Sequence, residues 1–119
     1  MEYVNYVIFA LVLFFIIRRI LPIKGINNIT AAELKNQLND KNKQYIDVRT
    51  PAEFKSNNIR GFKNIPLHLL PQKLNELSKD KEVIVICQSG MRSSKAGTIL
   101  KKNGFTQITN VRGGMSAWS

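Results

Sequence analysis

The chain predicts an α/β domain with a central, mostly parallel sheet flanked by helices, preceded by one transmembrane helix. Three observations carry this prediction. Short apolar runs suited to strands alternate with stretches of helical spacing from residue 25 onward, the pattern of a largely parallel sheet. The roughly 95 residues after the opening stretch suffice for one modest core. The opening stretch itself, YVNYVIFALVLFFII from Tyr3 to Ile17, carries no charge. The expected organisation is an anchor over residues 1–23 and one domain over 24–119.

The anchor comes first in the chain. A spanning helix needs about 20 apolar residues. The charge-free run reaches that length only if it continues to Ile23, with Arg18 and Arg19 snorkelling to the interface. Tyr3 and Tyr6 then fall in the opposite head-group layer. A cleaved signal peptide fits poorly, because Glu2 precedes the apolar run and the arginines follow it. Arg18, Arg19 and Lys24 belong on the cytoplasmic side. The expectation is a single-pass cell-membrane protein with its N-terminus outside and its domain in the cytoplasm.

Within the domain, Thr30-Ala31-Ala32-Glu33 reads as a capping box opening a helix with Leu34 and Leu38 on one face. Tyr45–Val48 is a short run for a buried strand, and Asn64-Ile65-Pro66 is a second extended piece. A helix is expected near Pro71, with Leu70, Leu74 and Leu77 sharing a face. Val83–Ile86 is the most β-prone run. A helix starting at Ser93 or Ser94 follows, with Ala96, Ile99 and Leu100 inward and Gly104 as its stop. Residues 107–111 offer a last strand.

Composition narrows the function. The net charge of +10 is scattered as single lysines and arginines, without the aromatic interleaving of a nucleic-acid groove, so no nucleic-acid partner is expected. One cysteine excludes an internal disulfide and a second, resolving thiol. A free thiol kept for chemistry suits a reducing compartment.

That cysteine, Cys87, stands directly after the strand 83–86 and before a helix, where open parallel sheets bind their ligands. A loop curling from strand to helix aims several N–H groups at one point, and the helix N-terminus adds partial positive charge. Gly90 permits the turn, and Arg92 braces the loop carbonyls or meets an anionic substrate. Such settings favour thiolate over thiol. The bland alternative is a small apolar residue ending a core strand. Asp47 and Arg49, two residues apart at the end of the strand 45–48, either orient this loop or form a structural ion pair. Glu53 and Arg60 read as solvated or structural, His68 has no partner in the sequence, and Trp118 reads as packing.

Four segments in order resemble the rhodanese-like domains, a family of sulfurtransferases: IDVRTPAEF (46–54), NNIRGFKNIPL (57–67), CQSGMRS (87–93) and GFTQITNVRGGMSAW (104–118). Asn57 and Asn58 replace the family's Gly-His, and Phe62 replaces an alanine, a change expected to reshape the nearby surface. The resemblance implies a persulfide carrier. On that resemblance Cys87 would be the catalytic nucleophile, and Gln88, Ser89, Gly90, Met91 and Arg92 would form the substrate-binding loop whose N–H groups hold the added sulfur's charge. Asp47 and Arg49 are the candidate supporting residues, on the reading that they orient this loop. The implied partners are a small sulfane-sulfur donor and a thiol or cyanide acceptor, with a protein acceptor admitted. No metal or organic cofactor is required. One alternative is a non-catalytic binding module of the same fold. The other is a cysteine-dependent phosphatase or arsenate reductase, disfavoured because only four residues separate Cys87 from Arg92 where a phosphate cradle has five.

Overall fold

A computed structural model describes residues 2–20 and 25–118. Helix α1 (Glu2–Ile20) presents apolar side chains to solvent on every side, from Tyr3 through Ile17. Among the described residues no helix is long and apolar enough to cross a membrane. The expected transmembrane anchor over 1–23 is therefore not found. At 1.5 Å per residue the charge-free run covers only about 22 Å of a core about 30 Å thick. Met1 and residues 21–23, also included in that expectation, lie outside the described residues.

The domain is a five-stranded sheet in the order β1-β5-β4-β2-β3, formed by β1 (Ile26–Ile29), β2 (Gln44–Asp47), β3 (Lys63–Asn64), β4 (Val83–Ile86) and β5 (Ile108–Val111). Every pair is parallel. A parallel central strand is covered on both faces, so it reads as an unbroken apolar run rather than an alternating one. In β4, Val83 and Val85 pack on one face with Cys87, Ala96 and Leu100, while Ile84 and Ile86 pack on the other with Leu34, Phe62 and Met115. This two-residue alternation delivers Cys87 to the face covered by α4 (Met91–Lys102).

Several expectations shift in detail. Strand β1 was not anticipated, because Ile26-Asn27-Asn28-Ile29 places polar residues in its centre and exposes both. Its partner β5 supplies the pairing that its own composition does not suggest. Thr30 does cap α2 (Ala31–Lys35), its Oγ1 accepting from the Glu33 N–H at 3.1 Å. The complete reciprocal box lies instead at α3 (Pro51–Ser56), where Thr50 and Glu53 exchange both bonds. The helix expected near Pro71 is two 3-10 pieces, Leu67–Gln72 and Leu74–Glu76, because Pro71 cannot donate to an α ladder. Phe62 is buried against the Tyr45 ring, centroids 5.4 Å apart, so it fills the core instead of reshaping a surface. Trp118 packs against the same core, with the Lys35 ammonium 5.2 Å over its ring.

Candidate active site

Helix α4 begins at Met91, two or three residues earlier than the sequence suggests. Gly90 is its N-cap, with φ of +105°, a conformation that side-chain-bearing residues rarely adopt. The loop from strand to helix is thereby reduced to Cys87–Gly90, and Arg92 and Ser93 sit in the first helical turn. The left-handed turn at Gly90 swings its N–H onto Cys87 Sγ at 2.9 Å. Ser93 Oγ lies 3.3 Å from the same sulfur. Burial of Cys87 pushes its thiol pKa up, but the Ser93 hydroxyl and the N–H groups of Ser93, Gly90 and Ser89 favour the thiolate more. The net displacement is below the ordinary thiol value.

Aiming these N–H groups at one atom leaves the loop's carbonyls facing the other way. The segment after β5 meets them. Met115 N–H donates to Cys87 O at 2.8 Å, and Ser116 donates to Gln88 O through both its N–H (3.0 Å) and its hydroxyl (2.9 Å). The Gly90 carbonyl takes the hydroxyl of Ser94 at 2.8 Å, and the Ser93 hydroxyl lies 3.1 Å from it. Gly114 lets this segment come so close: a Cβ there would stand 2.2 Å from Cys87 O.

Asp47 and Arg49 form a fully buried ion pair, Arg49 Nη2 to Asp47 Oδ2 at 2.9 Å and Arg49 Nε to both carboxylate oxygens at 3.1 Å. The remaining guanidinium edge donates to the Asn57 carbonyl at 2.6 Å, to Asn57 Oδ1 at 3.2 Å and to Gln88 Oε1 at 3.5 Å. The pair is a buried ion pair, and its outer guanidinium edge comes within 3.5 Å of the Gln88 side chain in the Cys87 loop. Asn57 takes part in the network as the acceptor of that edge.

Arg92 is placed differently from the expectation that it braces loop carbonyls. Its Nη1 and Nη2 donate to the two carboxylate oxygens of Glu53 at 2.7 and 2.9 Å. The bidentate bond from Arg92 is the main reason the Glu53 carboxyl is held down at about 2, although its partial burial opposes this. Glu53, read from the sequence as solvated or structural, thus fixes the arginine in the first turn after the Cys87 loop. Its sequence signal was the Thr50-Pro51-Ala52-Glu53 capping pattern, which sets its place on α3 but not its partner. Arg92 also lines a mostly apolar cleft of about 240 Å³ together with Val48, Thr50, Pro66, Leu67 and His68. Met91 is exposed at the mouth of the loop, and Ser89 is exposed within it.

The rhodanese-like domain family matches residues 30–119. An Allochromatium vinosum sulfurtransferase is 36% identical over 95 residues, covering 79% of this chain and 89% of its own. The uncharacterized protein YqhL of Bacillus subtilis is 48% identical over 75 residues, covering 63% of this chain and 60% of its own length. Among solved structures, a rhodanese-like domain protein from Staphylococcus aureus superposes with a TM-score of 0.73 at 39% identity, covering 78% of this chain and 91% of its own. The chain belongs to the rhodanese-like domain family.

Two outcomes follow from this geometry. Gly114→Ala forces a methyl group into the Cys87 carbonyl at a backbone φ of +55°. It should lower unfolding stability by roughly 2–4 kcal/mol, measured by denaturant titration. Glu53 is depressed in the folded protein, so its contribution to stability is complete above the ordinary carboxylate value of 4.5 and is lost as pH falls toward about 2. Glu53→Gln should flatten that part of the pH–stability curve while leaving its neutral-pH shape unchanged.

Proposed function

We propose that this protein is a single-domain sulfurtransferase that carries a sulfane sulfur as a persulfide on Cys87. The carrying observation is the sulfur's position, 2.9 Å from the Gly90 N–H and at the start of α4. That arrangement favours an anion one sulfur atom away as well as the thiolate itself. The relatives named as sulfurtransferases support the same reading.

In the first half-reaction the Cys87 thiolate attacks the outer sulfur of a donor such as thiosulfate. The sulfur–sulfur bond of the donor breaks, sulfite leaves with its electron pair, and Cys87–S–S⁻ remains. The N–H groups of the Gln88–Arg92 loop face the new charge. In the second half-reaction an acceptor, cyanide or a thiolate, attacks the outer sulfur and the Cys87 thiolate departs. Cyanide leaves as thiocyanate; a thiolate acceptor leaves as a persulfide. No net oxidant or reductant is consumed. The mostly apolar cleft that Arg92 helps to line carries one cation at its edge, which suits a small anionic donor.

Incubation of the full chain with thiosulfate, followed by intact-mass measurement, should show the gain of one sulfur, absent from Cys87→Ser and reversed by cyanide. The loading rate should rise with pH and level off below the ordinary thiol pKa, because the thiolate is the attacking form. Absence of any sulfur gain from thiosulfate and from polysulfide would overturn the reading.

We further propose that α1 holds the domain at a membrane, with the N-terminus outside and the domain in the cytoplasm. The support is the apolar surface that α1 exposes on all sides, with Phe9 70% and Phe15 61% accessible. Snorkelling of Arg18 offsets the shortness of the run. After cell fractionation the full chain should sediment with membranes and resist carbonate extraction, whereas a chain lacking residues 1–23 should not. Full release by carbonate would count against a spanning anchor.

A further inference from the structure

The Ser93 hydroxyl has one proton and three acceptors around it. Gly90 O is 3.1 Å away, Cys87 Sγ is 3.3 Å away, and Asn110 Oδ1 is also in hydrogen-bond contact. The Asn110 amide nitrogen is turned to the other side, donating to Asn28 Oδ1 at 3.1 Å and Ser94 Oγ at 3.2 Å. Ser94 spends its own proton on the Gly90 carbonyl at 2.8 Å, so its oxygen is free to accept from Asn110. That leaves the Asn110 carbonyl oxygen facing Ser93. Both Ser93 and Asn110 are buried, and water does not readily supply a substitute donor.

We infer that Asn110 competes with the Cys87 sulfur for the single hydroxyl proton of Ser93, and so acts as a positioning residue that tunes the nucleophile through Ser93. When Cys87 is a thiol, its S–H donates to Ser93 Oγ and Ser93 donates to Asn110. When Cys87 is a thiolate, the Ser93 hydroxyl rotates to the sulfur and the Asn110 oxygen loses that bond. The thiolate gains a donor only at Asn110's expense, which keeps the sulfur from becoming too weak a base. A thiolate of very low basicity is also a poorer nucleophile.

The catalytic meaning rests on the sulfur-carrier reading. In a persulfide the charge moves to the outer sulfur, and the Ser93 proton returns to Asn110. The proton competition itself belongs to the free thiol and is testable without any sulfur donor.

The charged groups around the loop are Arg92 on α4 with its partner Glu53 on α3, and Arg49 with Asp47 beyond β2; none is altered in the test. Cys87 is the only cysteine, so the pH midpoint of alkylation by iodoacetamide reports one thiol in the full chain. Ser93→Ala should raise the midpoint. Asn110→Val and Asn110→Ala should lower it by about one unit, a tenfold shift in the thiol–thiolate equilibrium. In the Ser93→Ala background the Asn110 substitutions should no longer lower it. General loosening of the site would not give opposite signs for the two residues, and melting curves identify a variant that has failed to fold. An unchanged or raised midpoint in the folded Asn110 variants would overturn the inference. So would an equal drop in the Ser93→Ala background. Because no donor is used, either result stands apart from failure of the thiosulfate-loading experiment.

Discussion

The site depends on a constraint of the peptide group: N–H and C=O of one unit point in opposite directions. A loop that turns its N–H groups toward a sulfur atom must turn carbonyls outward, and buried carbonyls without donors cost about 1–3 kcal/mol each. Here Met115 and Ser116 answer the Cys87 and Gln88 carbonyls, and Ser94 answers Gly90 through its N–H and its hydroxyl. The segment after β5 is therefore part of the site although none of its side chains faces the sulfur. Gly114 is the residue that makes the approach sterically feasible.

The remaining polar groups fix this loop from two other sides. Arg49, anchored by Asp47 in the interior, reaches Gln88 and Asn57. Buried pairs of this kind are costly to break because the surviving charge is left without a partner, whatever their net value when intact. Arg92 is held away from free rotation by Glu53, which is itself fixed by the Thr50 cap. The positive charge after the Cys87 loop is thus positioned by a carboxylate and a helix cap rather than by the loop alone. The guanidinium has more N–H donors than the two that Glu53 takes, and Arg92 lines the cleft.

Ser93 joins two requirements in one side chain. Its hydroxyl lies against the Gly90 carbonyl at the start of α4 and also faces the Cys87 sulfur. A group with a single proton and several acceptors responds to the charge state of its neighbour with little motion of the backbone. Asn110, near the end of β5, brings a strand on the far side of β4 into that response.

The sequence by itself determined the class of fold, because a strand covered on both faces must be apolar throughout and Val83–Ile86 is. It also placed Cys87 in the loop between strand and helix, since Cys87 follows that strand and Gly90 permits the turn. Both are local consequences of backbone geometry, carried by neighbouring residues. The strand Ile26–Ile29 was not legible, because its stability comes from pairing with β5 rather than from its own residues. The partners of Arg92 and Arg49 were not legible either. Glu53 lies 39 residues from Arg92, as Arg49 does from Gln88, and only the crossing of the parallel strands brings them together. The apolar run at the N-terminus announced a helix, while its length left it short of a span. Tertiary structure decided which donors face the sulfur, which carbonyls they leave behind, and which residues satisfy those carbonyls. Hydrogen bonds of that kind depend on distances across the fold, and a linear pattern does not contain them.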